Sequence, residues 1–333
     1  MHPFTYTRAR TADEAIRAVA AGGPRTRFLA GGTTLYDLMK LEVEMPTRLV
    51  DITGLEDLSQ IDTGGSRELV FGAMARMSDV AADPRLVRDY PALSESLWRA
   101  ASEQLRNMAR VGANLLQRTR CAYFRGGEPF PCNKRKPGSG CAALEGINRG
   151  HALLGGSDSC IAVYPGDWAV ALVAFDAQVD VLGTKGPRTI PLEQLHREPG
   201  TAPHLETVLE PDELILRIRV PVTPLGRAST YHKIRDRESY AFALVSAAVA
   251  LQMDGETVRE ARVAIGGLAT RPWRAREAER VLVGRPLSLQ AARAAGDAAL
   301  RGAKATNDNR FRIELGARTV ADALMIAKRR AER

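Results

Sequence analysis

The stretch LAGGTTLYDLMK, Leu29 to Lys40, decides how the N-terminal part of the chain folds. The run before it, Arg27-Phe28-Leu29-Ala30, reads as a strand, and Leu35-Tyr36-Asp37-Leu38-Met39-Lys40 reads as a helix. Between them stand Gly31, Gly32, Thr33 and Thr34. Glycines at a strand-to-helix junction bare their backbone N–H groups, and a helix N-terminus adds partial positive charge. The stretch therefore suits a phosphate or pyrophosphate. It is neither G-x-G-x-x-G nor a Walker loop, and taken alone it also fits an ordinary tight turn.

Working outward, TADEAIRAVAAG (11–22) reads as a short amphipathic helix, with Thr11 as cap and Glu14 three residues on. TRLVDIT (47–53) reads as a returning strand, which makes a β-turn-α-β unit. ELVFGAMA (68–75) is a further strand, and SDVAADP and PALSESLWRAASEQLRNMA are helical. WAVALVAFDAQVDVLG (168–183) is an apolar helix running into a strand, and DELILRIRVP (212–221) alternates as a strand closed by Pro221 and Pro224. PLGRA (224–228) reads as a linker. Beyond it, STYHKIR, AFALVSAAVALQM and TVREARVAIGGLA are expected antiparallel strands. RPWRAREAERVLVG, LSLQAARAAGDAALRGA and FRIELGARTVADALMIAKRRAE are expected helices. The fold class is therefore α+β. A first domain is expected over 1–225, with an N-terminal lobe over about 1–54 and a second lobe over about 55–225. A C-terminal domain of antiparallel sheet plus helices is expected over 228–333.

The chain has 333 residues, 45% of them hydrophobic, enough for two or three lobes with cores. No apolar run is long enough to span a membrane. The N-terminus lacks an apolar h-region, so no targeting signal is expected; assembly is expected in the cytoplasm, and export only as the passenger of another subunit. The net charge of +8 is dispersed among both signs, with no zinc finger or basic tail, which argues against nucleic acid as a partner.

Two further stretches join the first. RVGANLLQ (110–117) places a small-residue turn, Gly112-Ala113, beside Asn114, and YPGDWAVAL (164–172) places Asp167 at an expected helix N-cap. Taken in order, Ala30 to Leu35, Gly112 to Asn114 and Pro165 to Asp167 resemble the FAD-binding subunit or domain of the xanthine dehydrogenase and carbon monoxide dehydrogenase family. The resemblance covers essentially the whole chain and implies a two-lobed FAD-binding domain of the PCMH type. It implies that Ala30, Gly31, Gly32, Thr33 and Thr34, flanked by Leu29 and Leu35, hold the FAD pyrophosphate. Gly112 and Asn114 would contact the ribityl–phosphate part, and Asp167 would lie near the adenosine ribose or the flavin. Lys233, in YHKIRDRESYAF, matches a family lysine near the isoalloxazine ring; from the residues alone it reads equally as a surface lysine at a strand end. Ala113 departs from the family's second glycine, which a negative φ would permit.

Cys121, Cys132, Cys141 and Cys160 are the chain's four cysteines, all within one segment of about 118–160 rich in Gly, Pro and polar residues. Such a segment buries little and needs something else to order it. The spacing contains no C-x-x-C, so it leaves disulfides, a four-thiolate zinc, free thiols and an iron–sulfur cluster open. Asn114 and Asp167 stand 53 positions apart, and the family brings the corresponding elements much closer. The segment therefore resembles the insertion carried by the periplasmic aldehyde oxidase branch, which implies a [4Fe–4S] cluster on the four cysteines. His151 inside it is a conceivable but unneeded ligand, and the basic run NKRKPG (133–138) could offset cluster charge, dock a partner or be a solvated face.

No nucleophile triad, paired carboxylates, molybdenum-cofactor motif or plant-type [2Fe–2S] spacing is present. The resemblance implies a heterotrimer with a large molybdopterin-binding subunit and a small subunit bearing two [2Fe–2S] clusters, and with an external electron acceptor. The alternatives are the corresponding subunit of a 4-hydroxybenzoyl-CoA reductase-like enzyme, a self-contained flavin oxidase, or a non-enzymatic iron–sulfur or zinc module.

Overall fold

The Gly31–Thr34 turn lies inside a small parallel sheet. In this computed structural model residues 1–127 and 129–332 are described; Glu128, within the cysteine-rich segment, and Arg333 lie outside the described residues. Strands β1 (Thr5–Arg8), β2 (Thr26–Leu29) and β3 (Arg48–Asp51) pair in parallel in the order β1-β3-β2. Parallel neighbours need crossovers, which the helices Ala12–Gly22 and Leu35–Lys40 supply. Thr11 caps the first of these, its Oγ1 accepting from Glu14 N at 3.1 Å, and Ile16 and Val19 pack in one cluster with Val50 and Ile52.

The second sheet holds β4 (Ile61–Asp62), β5 (Glu68–Gly72), β6 (Gln178–Gly183), β7 (Gly186–Pro191) and β8 (Leu214–Pro221) in the antiparallel order β4-β5-β8-β6-β7. Val179 and Val181 face the core from β6, two residues apart as a pleated strand requires. The helix Trp168–Ala174 is buried on every side, with Trp168 edge-on to Phe71 at 5.7 Å between ring centroids.

The third sheet, β9 (Ser229–Ile234), β10 (Val245–Asp254), β11 (Thr257–Gly266) and β12 (Trp273–Arg274), runs antiparallel in the order β12-β11-β10-β9. From one face of β10, Val245, Ala247, Val249 and Leu251 share a core with Val320, Leu324 and Ala327 of the long helix Phe311–Ala331. Ala248 and Ala250, on the opposite face of β10, join the core of the second lobe. Burial on both faces explains why AFALVSAAVALQM shows no polar alternation. Among the described residues no helix is long and apolar enough to cross a membrane.

Three local readings are corrected. PALSESLWRAASEQLRNMA is two helices, Pro91–Trp98 and Glu103–Met108; Ala101 takes φ +49° between them and Ser102 Oγ caps the second by accepting from Leu105 N. Gly112 and Ala113 belong to a short helix, Val111–Leu115, rather than a turn. In RPWRAREAERVLVG the helix starts only at Arg276, because Trp273–Arg274 pairs with β11 as β12.

Candidate functional site

A cavity of about 720 Å³ opens where the glycine turn, the Val111–Leu115 helix and the end of β9 meet. That size is usual for cofactor sites. Ala30, Gly31, Gly32, Thr33, Thr34, Leu35, Gly112, Asn114, Asp167 and Lys233 all line it. Leu29 does not: it ends β2, where its carbonyl accepts from Ile52 N at 3.0 Å.

The turn is fixed from outside itself. A Cβ on Gly31 would stand 2.1 Å from the Met108 carbonyl oxygen, and Gly32 takes φ +74°, a left-handed value that disfavours side chains. Gly112 is required for a different reason: its Cβ would stand 2.6 Å from the Ala73 Cβ. Among the described residues the amides of Gly32, Thr33 and Thr34 have no protein acceptor, and the buried Asn114 Oδ1 has no donor. Buried polar groups are rarely left orphaned, so bare amides facing a roomy cavity fit an anionic ligand such as a pyrophosphate.

Asp167 is not a cap. It precedes the Trp168–Ala174 helix but caps no N–H there. Its Oδ1 accepts from Tyr231 Oη at 2.6 Å and its Oδ2 from Lys233 Nζ at 2.8 Å, and Lys233 also donates to the Arg99 carbonyl at 2.9 Å. Lys233 is thus buried, not a surface lysine. Burial raises the Asp167 carboxyl above the usual range, partly countered by Lys233 and Tyr231.

Behind Asn114, the Leu115 carbonyl accepts from His196 Nε2 at 2.8 Å and Tyr164 Oη at 3.1 Å. Burial depresses the His196 pKa to about 4, while its usual value is 6.5. The unfolded chain therefore binds the extra proton between those values, and the fold loses stability as pH falls from about 6.5 toward 4. The expected loss is up to about 3 kcal/mol, since each unit corresponds to about 1.4 kcal/mol. Urea unfolding at stepped pH checks this; a His196→Gln protein should show a flatter acid limb, and an unchanged limb would remove His196 as its cause.

The four cysteines, dispersed over 40 positions, line one small cavity together with Phe124, Pro131 and Lys134. Cys132 and Cys141 face each other across an isolated bridge, and all four are free thiols. Ala162 N donates to Cys160 Sγ at 3.4 Å. His151 Nε2 lies 3.2 Å from Cys121 Sγ. Burial pushes the Cys121 thiol up to about 11, and the neighbouring Cys160 thiol holds Cys141 below its usual value. As the side chains stand, no three His, Cys, Asp or Glu residues among those described are arranged to hold a single metal ion. The basic run turns largely inward: Lys134 Nζ donates to the Pro203 carbonyl and pairs with Glu206, and Arg135 holds the Tyr123 and Phe124 carbonyls.

Several lining residues escape sequence reasoning. Gln117, Arg118 and Arg120 follow Asn114 closely, and Tyr240 and Phe242 follow Lys233, so proximity to a motif was their only signal. Met74 and Met77 had none, because apolar residues after a strand read as core.

A bared strand-to-helix turn, an orphaned Asn and a buried Asp–Lys pair around a roomy cavity in an α+β fold fit a protein that binds a phosphate-bearing cofactor. Residues 2–223 match the FAD binding domain in molybdopterin dehydrogenase, and residues 229–325 match the CO dehydrogenase flavoprotein C-terminal domain. The chain is 47% identical to the aldehyde oxidoreductase FAD-binding subunit PaoB of Escherichia coli (strain K12), over 99% of this chain and 100% of that one. It is 27% identical to the carbon monoxide dehydrogenase medium chain of Hydrogenophaga pseudoflava, over 89% of this chain and 86% of that one. A solved carbon monoxide dehydrogenase from Hydrogenophaga pseudoflava superposes with a TM-score of 0.77 at 26% identity, covering 99% of this chain and 98% of that one. The chain belongs to the FAD-binding medium subunits of the xanthine dehydrogenase and carbon monoxide dehydrogenase family, and is an oxidoreductase subunit.

Proposed function

We propose that this chain is the electron-transfer subunit of a molybdenum-containing aldehyde oxidoreductase, standing between a small subunit with two [2Fe–2S] clusters and an external acceptor. A large molybdopterin-binding subunit completes the heterotrimer and carries the substrate. The observation that supports this most is the end-to-end 47% identity to an aldehyde oxidoreductase FAD-binding subunit. FAD supplies an isoalloxazine able to take and release electrons singly or in pairs. The chain's own residues bind and orient it: the Gly32 to Thr34 amides and Asn114 receive the phosphate-bearing part, and the buried Asp167–Lys233 ion pair stands fixed at the cavity wall. No nucleophile or acid–base dyad is needed, because bond making belongs to the partner.

For the cysteines we propose a [4Fe–4S] cluster on Cys121, Cys132, Cys141 and Cys160. Four thiols around one small cavity, with an amide N–H directed at the Cys160 sulfur, match the chemistry of such a site. A zinc ion would draw all four sulfurs to about 2.3 Å from one point, and metal analysis of the unsubstituted protein separates the two readings. Replacing Cys132 by alanine should remove the cluster's absorption and its iron and sulfide from the purified complex. Iron and sulfide retained in full would overturn the ligand set, and zinc in the unsubstituted protein would overturn the cluster.

The functional reading is tested by anaerobic mixing with an aldehyde. Flavin absorbance should bleach in the whole complex and stay unchanged in the isolated chain. Bleaching in the isolated chain would instead establish a self-contained flavin oxidase.

A further inference from the structure

The helix that leaves the glycine turn, Leu35–Lys40, is held by the cysteine-rich segment. Asp37 accepts from Arg120 Nη1 at 3.1 Å and from Arg125 Nη2 at 2.9 Å. Leu38 is buried in a cluster with Phe124 and Cys132, with Cys121 packed against it. Arg118 pairs with Glu44 just beyond the helix, and its guanidinium lies 4.6 Å above the Phe124 ring. Arg118 and Arg120 line the flavin cavity, whereas Phe124 and Cys121 line the cysteine cavity. The two cavities therefore share a wall. Arg120 is part of it: the backbone ties it to Cys121, Asp37 holds one nitrogen, and its guanidinium lies 4.7 Å from the Phe242 ring centroid. Among the described residues its buried Nε has no partner.

We infer that filling of the cysteine cage and binding of FAD are coupled through the Arg120–Asp37 pair, each raising the affinity for the other. The inference rests on the reading of the cysteines as cluster ligands. A helix of six residues has no stability of its own and takes its position from tertiary contacts. Those contacts come from a segment that lacks a large core, and whose ordering cost a bound cluster would offset. Disorder in Arg118–Arg125 releases Asp37 and Leu38, and with them the turn whose amides face the nucleotide. Coupling of this kind is reciprocal, so flavin also protects the cage. Asp37 acts here as a positioning residue, through the helix.

The test measures FAD dissociation from the purified complex by recovery of flavin fluorescence, alongside the spectroscopic signatures of [4Fe–4S] and [2Fe–2S] clusters. Cys132→Ser should lose the [4Fe–4S] signature and release FAD about tenfold faster. Asp37→Asn should keep that signature and also release FAD faster, and Asp37→Glu should restore retention. In the Asp37→Asn background, Cys132→Ser should add little, which a merely structural Asp37 would not produce. Unchanged FAD release in Cys132→Ser, or fully multiplicative effects in the double variant, overturns the coupling and leaves the cluster standing. An unsubstituted complex without the [4Fe–4S] signature overturns the cluster reading and this inference with it.

Discussion

A Gly31→Ala protein is expected to assemble and to come out of purification without FAD. The added Cβ meets the Met108 carbonyl oxygen at 2.1 Å, its carbon at 2.9 Å and the Ala109 Cα at 3.1 Å. All three are backbone atoms, so no side chain can rotate away. Nor can that backbone retreat easily, because the Ala109 carbonyl already accepts from Met77 N at 3.0 Å. The turn itself must move, and its unpaired amides leave the positions the cavity gives them. Overpacking of this kind costs on the order of 3 kcal/mol, or about a hundredfold in affinity. Gly32→Ala is the informative neighbour. It meets only Leu29 Cδ1, at 3.6 Å, and suffers mainly from φ +74°, a cost of about 1–2 kcal/mol. Flavin content per complex, with circular dichroism to confirm the fold, should rank Gly31→Ala as the more severe. The opposite order would show that conformation, and not the approach of Met108, sets the turn.

Lys233→Met should destabilise the protein by about 3–5 kcal/mol, because it strands a buried carboxylate. Asp167 would keep Tyr231 as donor but lose its counter-charge. Its carboxyl, already raised by burial, would rise further. A folded carboxyl titrating above its unfolded value binds more protons than the unfolded chain across that window, so stability falls as pH rises through it. The deficit relative to the unsubstituted protein should thus be smallest in acid and grow toward neutral pH. Adding Asp167→Asn to Lys233→Met should recover part of the loss, since the double variant buries no lone charge. Urea unfolding of the four proteins closes the cycle; additive losses would mean that the two groups do not depend on each other.

The fold was legible where local chemistry repeats. Thr11 with Glu14, the alternation of β6 and β8, and the Gly-Gly junction between strand and helix all carry their geometry in a few adjacent residues. The break at Ala101 was not legible, because PALSESLWRAASEQLRNMA keeps helical composition straight through it. β12 hid within a helical run for the reverse reason: Trp273 and Arg274 extend only because β11 offers an edge. In the site, the glycines, Asn114, Asp167 and Lys233 could be singled out, yet their surroundings could not. The bland reading made Asp167 a cap and Lys233 a surface residue; the structure buries them against each other, 66 positions apart in sequence.

By itself, then, the amino-acid order determined the run of strands and helices, the strand-to-helix turn with its bare amides, and the confinement of every cysteine to one weakly apolar segment. These follow from side-chain periodicity, backbone freedom and composition, which act over a few residues. Only the tertiary structure decided that Met108 forbids a side chain at Gly31, that Tyr231 and Lys233 share one carboxylate, that four distant thiols line a single cavity, and that Arg120 stands between that cavity and the flavin's. Each is a meeting of residues far apart along the chain, set by how sheets and helices exclude water together, and no local pattern encodes which surfaces will face each other.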